Sequence, residues 1–315
     1  MSTSRHALSR GQLDRHATVT LSSLGADLHA TFVPEAGMVG CSLRHGGEEL
    51  LDMRGGLEDY LRSGATFGIP LLYPWANRLS GFEYTFGGAD VRLDRVSPLI
   101  QLEQNGLPIH GLLAASPQWR VSDTSADGAA SLAAELDFGA HPQLLEAFPF
   151  PHRLRMEVSV IESSLEIRTT VVAAGIGVPV SFGFHPYLRL PGTPRERWEI
   201  ELPVRRRLEL DAHMIPTGGA EPVVPERAPL GERSFDDGFA GIEPQPFVLA
   251  GGGRELRVTF IESYPYAQVY SPPGAPFICY EPMTAPTNAL VEGGPALPVV
   301  PPGGRFSAAF RIAVA

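Results

Sequence analysis

In LRMEVSVIESSLEIRTTVV, Leu154, Met156, Val158 and Val160 alternate with Arg155, Glu157 and Ser159. After the turn Glu162-Ser163-Ser164 the rhythm resumes with Leu165, Ile167, Thr169 and Val171. A side-chain period of two marks a strand with one face in a core, and the brief polar interruption makes the pair a hairpin. Shorter runs of the same kind are 131–138, 254–261, 266–271, 276–281 and 305–314. Between them stand turn formers such as Gly87-Gly88, Asp127-Gly128, Pro272-Pro273-Gly274 and Pro301-Pro302-Gly303-Gly304. Helical signals are confined to 57–63 and 142–148, each a turn or two long. Many short strands, frequent turns and little helix predict an all-β chain, a large antiparallel sandwich or barrel with few short helices.

No shift in composition and no Ser/Gly linker divides the chain, and β sandwiches of this size often form one unit. Residues 1–315 are therefore expected to be one β domain, with 1–15 a flexible N-terminal extension. With 43% hydrophobic and 19% charged residues, the chain has enough apolar material for a large core. A net charge of −10 argues against nucleic acid as partner, since phosphate binding needs concentrated Lys and Arg, and the one dense basic run is Arg205-Arg206-Arg207. Cys41 and Cys279 form no CxxC or Cys/His cluster, so two reduced thiols are expected and no zinc site. The first residues lack the apolar core of a secretory signal, and nowhere do roughly eighteen apolar residues run together. A soluble cytoplasmic protein without a membrane partner is expected.

Five segments set polar or ionisable side chains among glycine, proline and aromatics: PLLYPWANRLSG (70–81), PIHGLL (108–113), GFHPYLRLPG (183–192), SFDDGF (234–239) and ICYEPMTAPTNAL (278–290). Taken singly, most have a structural explanation. Arg78 can cap a loop, His110 and His185 can be satisfied buried histidines, and Asp236-Asp237 before Gly238 suit an Asx turn. Gln268 can pair across strands, and Trp75, Tyr73, Tyr187 and Tyr280 can be core or rim aromatics. Glu281 is different. It follows apolar Phe277, Ile278 and Cys279 and precedes Pro282, so a strand is expected to end there and aim a carboxylate out of an apolar setting. A carboxylate tuned between desolvation and a neighbouring cation suits a general base.

Together the segments resemble the aldose 1-epimerase, or galactose mutarotase-like, family. TFVPEAGMVGCSLRHGGEELL (31–51) is similar to its opening strands, PLLYPWANRLSG and IHGLL to its sugar-binding loops, and FPFPHRLRMEV (148–158) to the hairpin before its HPY motif. YAQVYSP and CYEPMTAPTNAL are similar to its closing strands. The resemblance implies a β supersandwich with a sugar in a cleft on one sheet, and cofactor-free, metal-free interconversion of α and β anomers. It implies His185 as general acid and Glu281 as general base, with Arg78, His110, Asp236 and Gln268 contacting substrate hydroxyls. Asp237 competes with Asp236 for its place.

The small-molecule partner implied is a sugar, and the chain is expected to be a monomer or homodimer. EPMTAPTNAL and SFDDGF look closer to divergent branches of the family than to its galactose enzymes, so no particular aldose is implied. A non-catalytic carbohydrate-binding protein of the same fold, or an epimerase for a phosphorylated or acidic sugar, fits the same residues. A glycoside hydrolase would need two carboxylates flanking one bond, and here the strongest pair is His and Glu.

Overall fold

The alternating hairpin forms with Met156 opposite Thr169 and Val158 opposite Ile167, in strands His152–Ile161 and Ser164–Ala173. These strands lie within a nine-stranded antiparallel sheet in a computed structural model that describes residues 5–315. Strand makes up 51% of the chain and helix 8%. Leu154, Met156, Val158, Leu165, Ile167, Phe310 and Ile312 form one face and are almost wholly buried. The opposite face carries cross-strand ion pairs, Arg155 with Glu135 at 2.7 Å and Arg311 with Glu166 at 2.9 Å. One apolar face and one charged face is the pattern that a half-buried antiparallel sheet requires.

An eight-stranded sheet supplies the frame for the site. Its order is Pro216–Pro222, Val204–Leu210, Phe235–Ile242, Tyr266–Ser271, Ile278–Met283, Gly183–Phe184 and Leu71–Leu72, and Tyr187–Leu188 also pairs with Ile278–Met283. A five-stranded sheet runs from His6–Leu13 through His16–Ser23, Leu28–Val33 and Val39–His45 to Glu48–Glu49. A single apolar cluster draws Leu21 and Phe32 from the five-stranded sheet, Phe310 and Ile312 from the nine-stranded one, and Val269 and Tyr280 from the eight-stranded one. Burying each such side chain contributes on the order of 1.5–3 kcal/mol, so the shared cluster binds the layers together.

Two expectations meet a different structure. Within the stretch 1–15, expected as a flexible extension, His6–Leu13 is strand and pairs along its length with His16–Ser23. Its first four residues lie outside the described residues. The connecting residues Asp14 and Arg15 both have positive φ, 47° and 70°, which matches the right-handed twist of a two-residue hairpin. The strand expected to end at Glu281 continues through Pro282 to Met283, with Ala267 opposite Pro282 and Tyr266 opposite Met283. Glu281 therefore projects from the face of a sheet rather than from a strand end.

The two helices expected from the sequence form at Gly56–Ser63 and Pro142–Ala147, and a third short helix is Ala289–Glu292. Cys41 and Cys279 are both buried free thiols. Among the described residues no helix is long and apolar enough to cross a membrane.

Candidate functional site

Three neighbouring strands of the eight-stranded sheet put alternate residues on one face. Gln268 lies opposite both Gly238 and Glu281, and Asp236 lies opposite Tyr270. With a side-chain period of two, this register brings Asp236, Gln268, Tyr270 and Glu281 to the same side. Ala267, Val269 and Tyr280 face the other way and are buried in the core. Asp237 shares the parity of the buried Phe239, so it leaves the site and meets Arg207 Nη1 at 3.9 Å. Of the doublet, Asp236 alone lines the cavity.

Loops close the other sides. Arg78 and Ile109 form an isolated bridge, as do Tyr73 and Gly111, tying the loops 70–81 and 108–113 together. His110 has φ 63°, and its backbone N–H donates to Asn77 O at 2.9 Å. The glycine after it is required. Gly111 has φ +76°, and a Cβ there would lie 2.1 Å from Tyr73 O. Arg78 Nη1 donates to Asn77 Oδ1 at 2.9 Å and Nη2 to Asp236 Oδ2 at 3.5 Å, while Nε stands 4.0 Å from Glu103 Oε2. Gln268 Nε2 donates to the other oxygen of Asp236 at 2.6 Å. A guanidinium bonded to Asn77 and Asp236, with the Glu103 carboxylate near its Nε, is restrained in direction, which is how a directional binding group is made rigid.

His185 enters between the short strands Gly183–Phe184 and Tyr187–Leu188. Gly183 permits this approach, because a Cβ would lie 2.5 Å from Pro282 O on the adjoining strand. His185 is 5% exposed and Glu281 2%. His185 Nε2 lies 3.3 Å from Glu281 Oε1. The His110 ring stands edge-on to that of His185, with centroids 5.6 Å apart.

Burial governs the charges here. It pushes the Glu281 carboxyl well above the usual carboxylate range, with Asp236 adding to the shift and Arg78 opposing it. Burial also pushes His185 well below the usual histidine range, helped by His110 and Arg54. His110 is brought down to about 3 by burial and by Arg78, so it is neutral in any ordinary buffer. The pair thus favours a neutral imidazole beside a protonated carboxyl, which has the same total charge as imidazolium with carboxylate.

The cavity they share has a volume of about 320 Å³, at the lower end of the roughly 300–1,000 Å³ typical of small-molecule sites. All six residues singled out from the sequence, Arg78, His110, His185, Asp236, Gln268 and Glu281, line it. Of the four aromatics noted there, Tyr187 reaches the cavity. Tyr73 bonds His152 in the core, Tyr280 donates to Val248 O, and Trp75 is fully buried. Sequence reasoning missed Arg54, Thr66, Asn77 and Glu103. Asn77 had a usable signal, since it adjoins Arg78. Arg54, Thr66 and Glu103 sit in loops without periodicity and reach the cavity through long-range contacts. Arg205-Arg206-Arg207 lies elsewhere, on Val204–Leu210, with Arg205 paired to Glu243 and Arg207 to Glu221 at 2.6 Å each.

Known proteins share this architecture. The Slr1438 protein of Synechocystis sp. PCC 6803 is similar at 23% identity over 96% of each chain, with a TM-score of 0.78. A galactose mutarotase-like protein of Clostridium acetobutylicum superimposes with a TM-score of 0.88 over 99% of each chain at 16% identity. A putative aldose 1-epimerase of Escherichia coli K12 does so with a TM-score of 0.73 at 18% identity, over 98% of this chain and 99% of that one. At such identities the likeness establishes the galactose mutarotase-like fold alone. Among curated proteins nothing matched. Residues 14–313 match the family Aldose 1-epimerase, nearly the whole of the described chain, and on that match the chain belongs to the aldose 1-epimerase family.

Proposed function

We propose that the protein interconverts the α and β anomers of an aldose by general acid–base opening and closing of the sugar ring. The observation that carries this reading is the buried contact of 3.3 Å between His185 Nε2 and Glu281 Oε1 in the wall of a cavity lined with hydroxyl-binding groups. Ring opening needs a proton delivered to the ring oxygen while another leaves the anomeric hydroxyl. With a closed sugar seated beside them, His185 as imidazolium donates to the ring oxygen and Glu281 as carboxylate accepts from the anomeric hydroxyl. The C1–C2 bond then turns, and both protons return with the opposite face of the carbonyl presented.

Opening converts imidazolium plus carboxylate into imidazole plus carboxylic acid. This neutral combination is the one that burial favours at both groups. Burial therefore stabilises the pair in its state at the open-chain stage, while total charge stays constant. A general acid–base step contributes on the order of a hundred- to ten-thousand-fold, a useful gain for a reaction already proceeding slowly in water.

Arg78, His110, Asp236 and Gln268 supply donors and acceptors for the remaining hydroxyls. The cations Arg54 and Arg78 face the carboxyl groups of Glu103, Asp236 and Glu281, a balance that supports a neutral aldose over a phosphorylated or acidic one. For a protein that only binds sugar, a glutamate buried against a histidine is a desolvation penalty without return. Catalytic amounts of protein are expected to hasten the optical-rotation change of freshly dissolved α-aldoses. A panel of neutral aldoses that all relax at the buffer rate would remove the proposal.

A further inference from the structure

A second carboxylate besides Asp236 stands beside Arg78 in the cavity. Glu103 opens a tight turn in which Ile109 N–H donates to Gln101 O at 2.9 Å, Glu103 N–H to Leu107 O at 3.0 Å and Gly106 N–H to Glu103 O at 2.9 Å. Ile109 in turn bridges Arg78, so the turn is tied to the guanidinium's own loop and leads straight into His110. The Glu103 side chain is 7% exposed and lines the cavity.

A carboxylate offers about four acceptor positions, two on each oxygen. Oε1 takes Asn105 N–H at 2.8 Å and Leu107 N–H at 3.1 Å, and these two bonds hold the turn together. Oε2 takes Asn105 Nδ2 at 3.0 Å. Its other position is open: Arg78 Nε stands 4.0 Å away, beyond hydrogen-bonding reach, and no other donor among the described residues bonds it. An acceptor left unfilled on a buried carboxylate is costly, and a ligand that fills it recovers the cost.

We infer that Glu103 is a specificity-determining residue of the sugar site, its Oε2 accepting a hydrogen bond from one hydroxyl of the aldose other than the anomeric one. This rests on the epimerase reading above for the class of ligand. The donor is neutral, because the Arg78 guanidinium beside Oε2 repels an ammonium group. Asp236 meets the same guanidinium through Nη2 at 3.5 Å. Two carboxylates thus share one cation and offer acceptors at two places along it, and a sugar lacking the hydroxyl that meets Glu103 leaves one of them empty. Glu103 exchanges no proton, and the acid and base remain His185 and Glu281.

The test measures the affinity of the full chain for D-glucose and D-galactose and for monodeoxy derivatives of each, by calorimetry, in the parent and in Glu103→Gln. With its oxygen in the place of Oε1, the glutamine keeps both backbone bonds of the turn, and its NH2 replaces Oε2. In the parent, one analogue is expected to bind about ten- to a hundredfold more weakly than its sugar through loss of a charge-assisted bond. In Glu103→Gln that penalty is expected to shrink by more than about threefold, because a neutral bond is weaker, while the other analogues keep theirs within about twofold. That pattern upholds the assignment, and any other overturns it, as does failure of the parent to bind either sugar. If circular dichroism shows Glu103→Gln unfolded, the Asn105 side-chain amide decides in 15N-labelled parent, since a hydroxyl sharing Oε2 disturbs its bond. A shift with the sugar that vanishes with one monodeoxy analogue upholds the assignment, and any other result overturns it. The analogue-specific pattern in a protein without anomer exchange would keep Glu103 and remove the reaction, whereas exchange without that pattern would do the reverse.

Discussion

His185 Nε2 lies 3.3 Å from Glu281 Oε1, although Glu281 stands in the strand Ile278–Met283 and His185 in the link between two short strands, and both side chains are buried. That contact sets an acid and a base side by side in the cavity wall. A sugar seated beside them presents its ring oxygen to one group and its anomeric hydroxyl to the other.

The aspartate doublet separates cleanly. Asp236 accepts from Gln268 and Arg78 on the cavity side, while Asp237 turns toward Arg207. Asp236→Asn is expected to raise KM for sugar by roughly tenfold, the worth of a hydrogen bond to a charged group. Asp237→Asn should leave both kcat and KM near their original values. Steady-state kinetics of the two variants side by side checks the assignment.

Arg78 bonds Asn77 and Asp236 and stands 4.0 Å from Glu103, and its guanidinium faces the cavity. Arg78→Ala removes a charged donor and leaves Asp236 without its cation. Sugar affinity measured by calorimetry is expected to fall on the order of ten- to a hundredfold. Unaltered affinity would return Arg78 to the role of a loop brace.

The pH profile follows from the two shifts. A second proton enters the pair only below the ordinary histidine range, because burial and then Arg54 oppose imidazolium. The remaining proton is lost only above the ordinary glutamate range, because burial and Asp236 hold Glu281 protonated against Arg78. Activity should be bell-shaped, with its acid limb below the usual histidine value of about 6.5 and its alkaline limb above the usual glutamate value. His110, already near 3, contributes no limb in this range. An acid limb above the usual histidine value would contradict this electrostatic account.

Catalysis and stability should oppose one another at Glu281. Its carboxyl binds a proton more tightly in the folded chain than in the unfolded one, so stability declines as pH rises from the unfolded value toward the folded one. Glu281→Gln abolishes that decline. Its melting temperature should exceed that of the parent by a few degrees, on the order of what 1–2 kcal/mol yields in a chain of this size, and by more at pH 8 than at pH 5. A lower melting temperature at pH 8, measured by scanning calorimetry, would show that the carboxylate is stabilising instead.

How far the chain discloses itself in advance depends on whether a feature is periodic. The strands Tyr266–Ser271 and Arg305–Val314 have the boundaries that alternation assigns them, because one face of each meets the core. The strand His6–Leu13 carries no such signal, since it is held by backbone pairing and few of its side chains are buried. Pro282 looked like a strand stop because it lacks an N–H, yet the ladder runs past it to Met283. Alternation also contained the answer at Asp236 and Asp237, because buried Phe239 fixes which parity faces the core. Arg54 and Glu103 were invisible for a physical reason. They stand in aperiodic loops, and only the tertiary fold brings them beside Arg78 and His185.

The most direct test is saturation-transfer NMR between the α and β resonances of a neutral aldose, with parent protein, Glu281→Gln and His185→Asn at matched concentration and verified folding. Anomer exchange is expected well above the buffer rate with the parent. With either variant it should drop at least about a hundredfold toward that rate, while sugar binding persists. Exchange as fast in Glu281→Gln as in the parent would contradict the central claim that this buried carboxyl and imidazole move the protons.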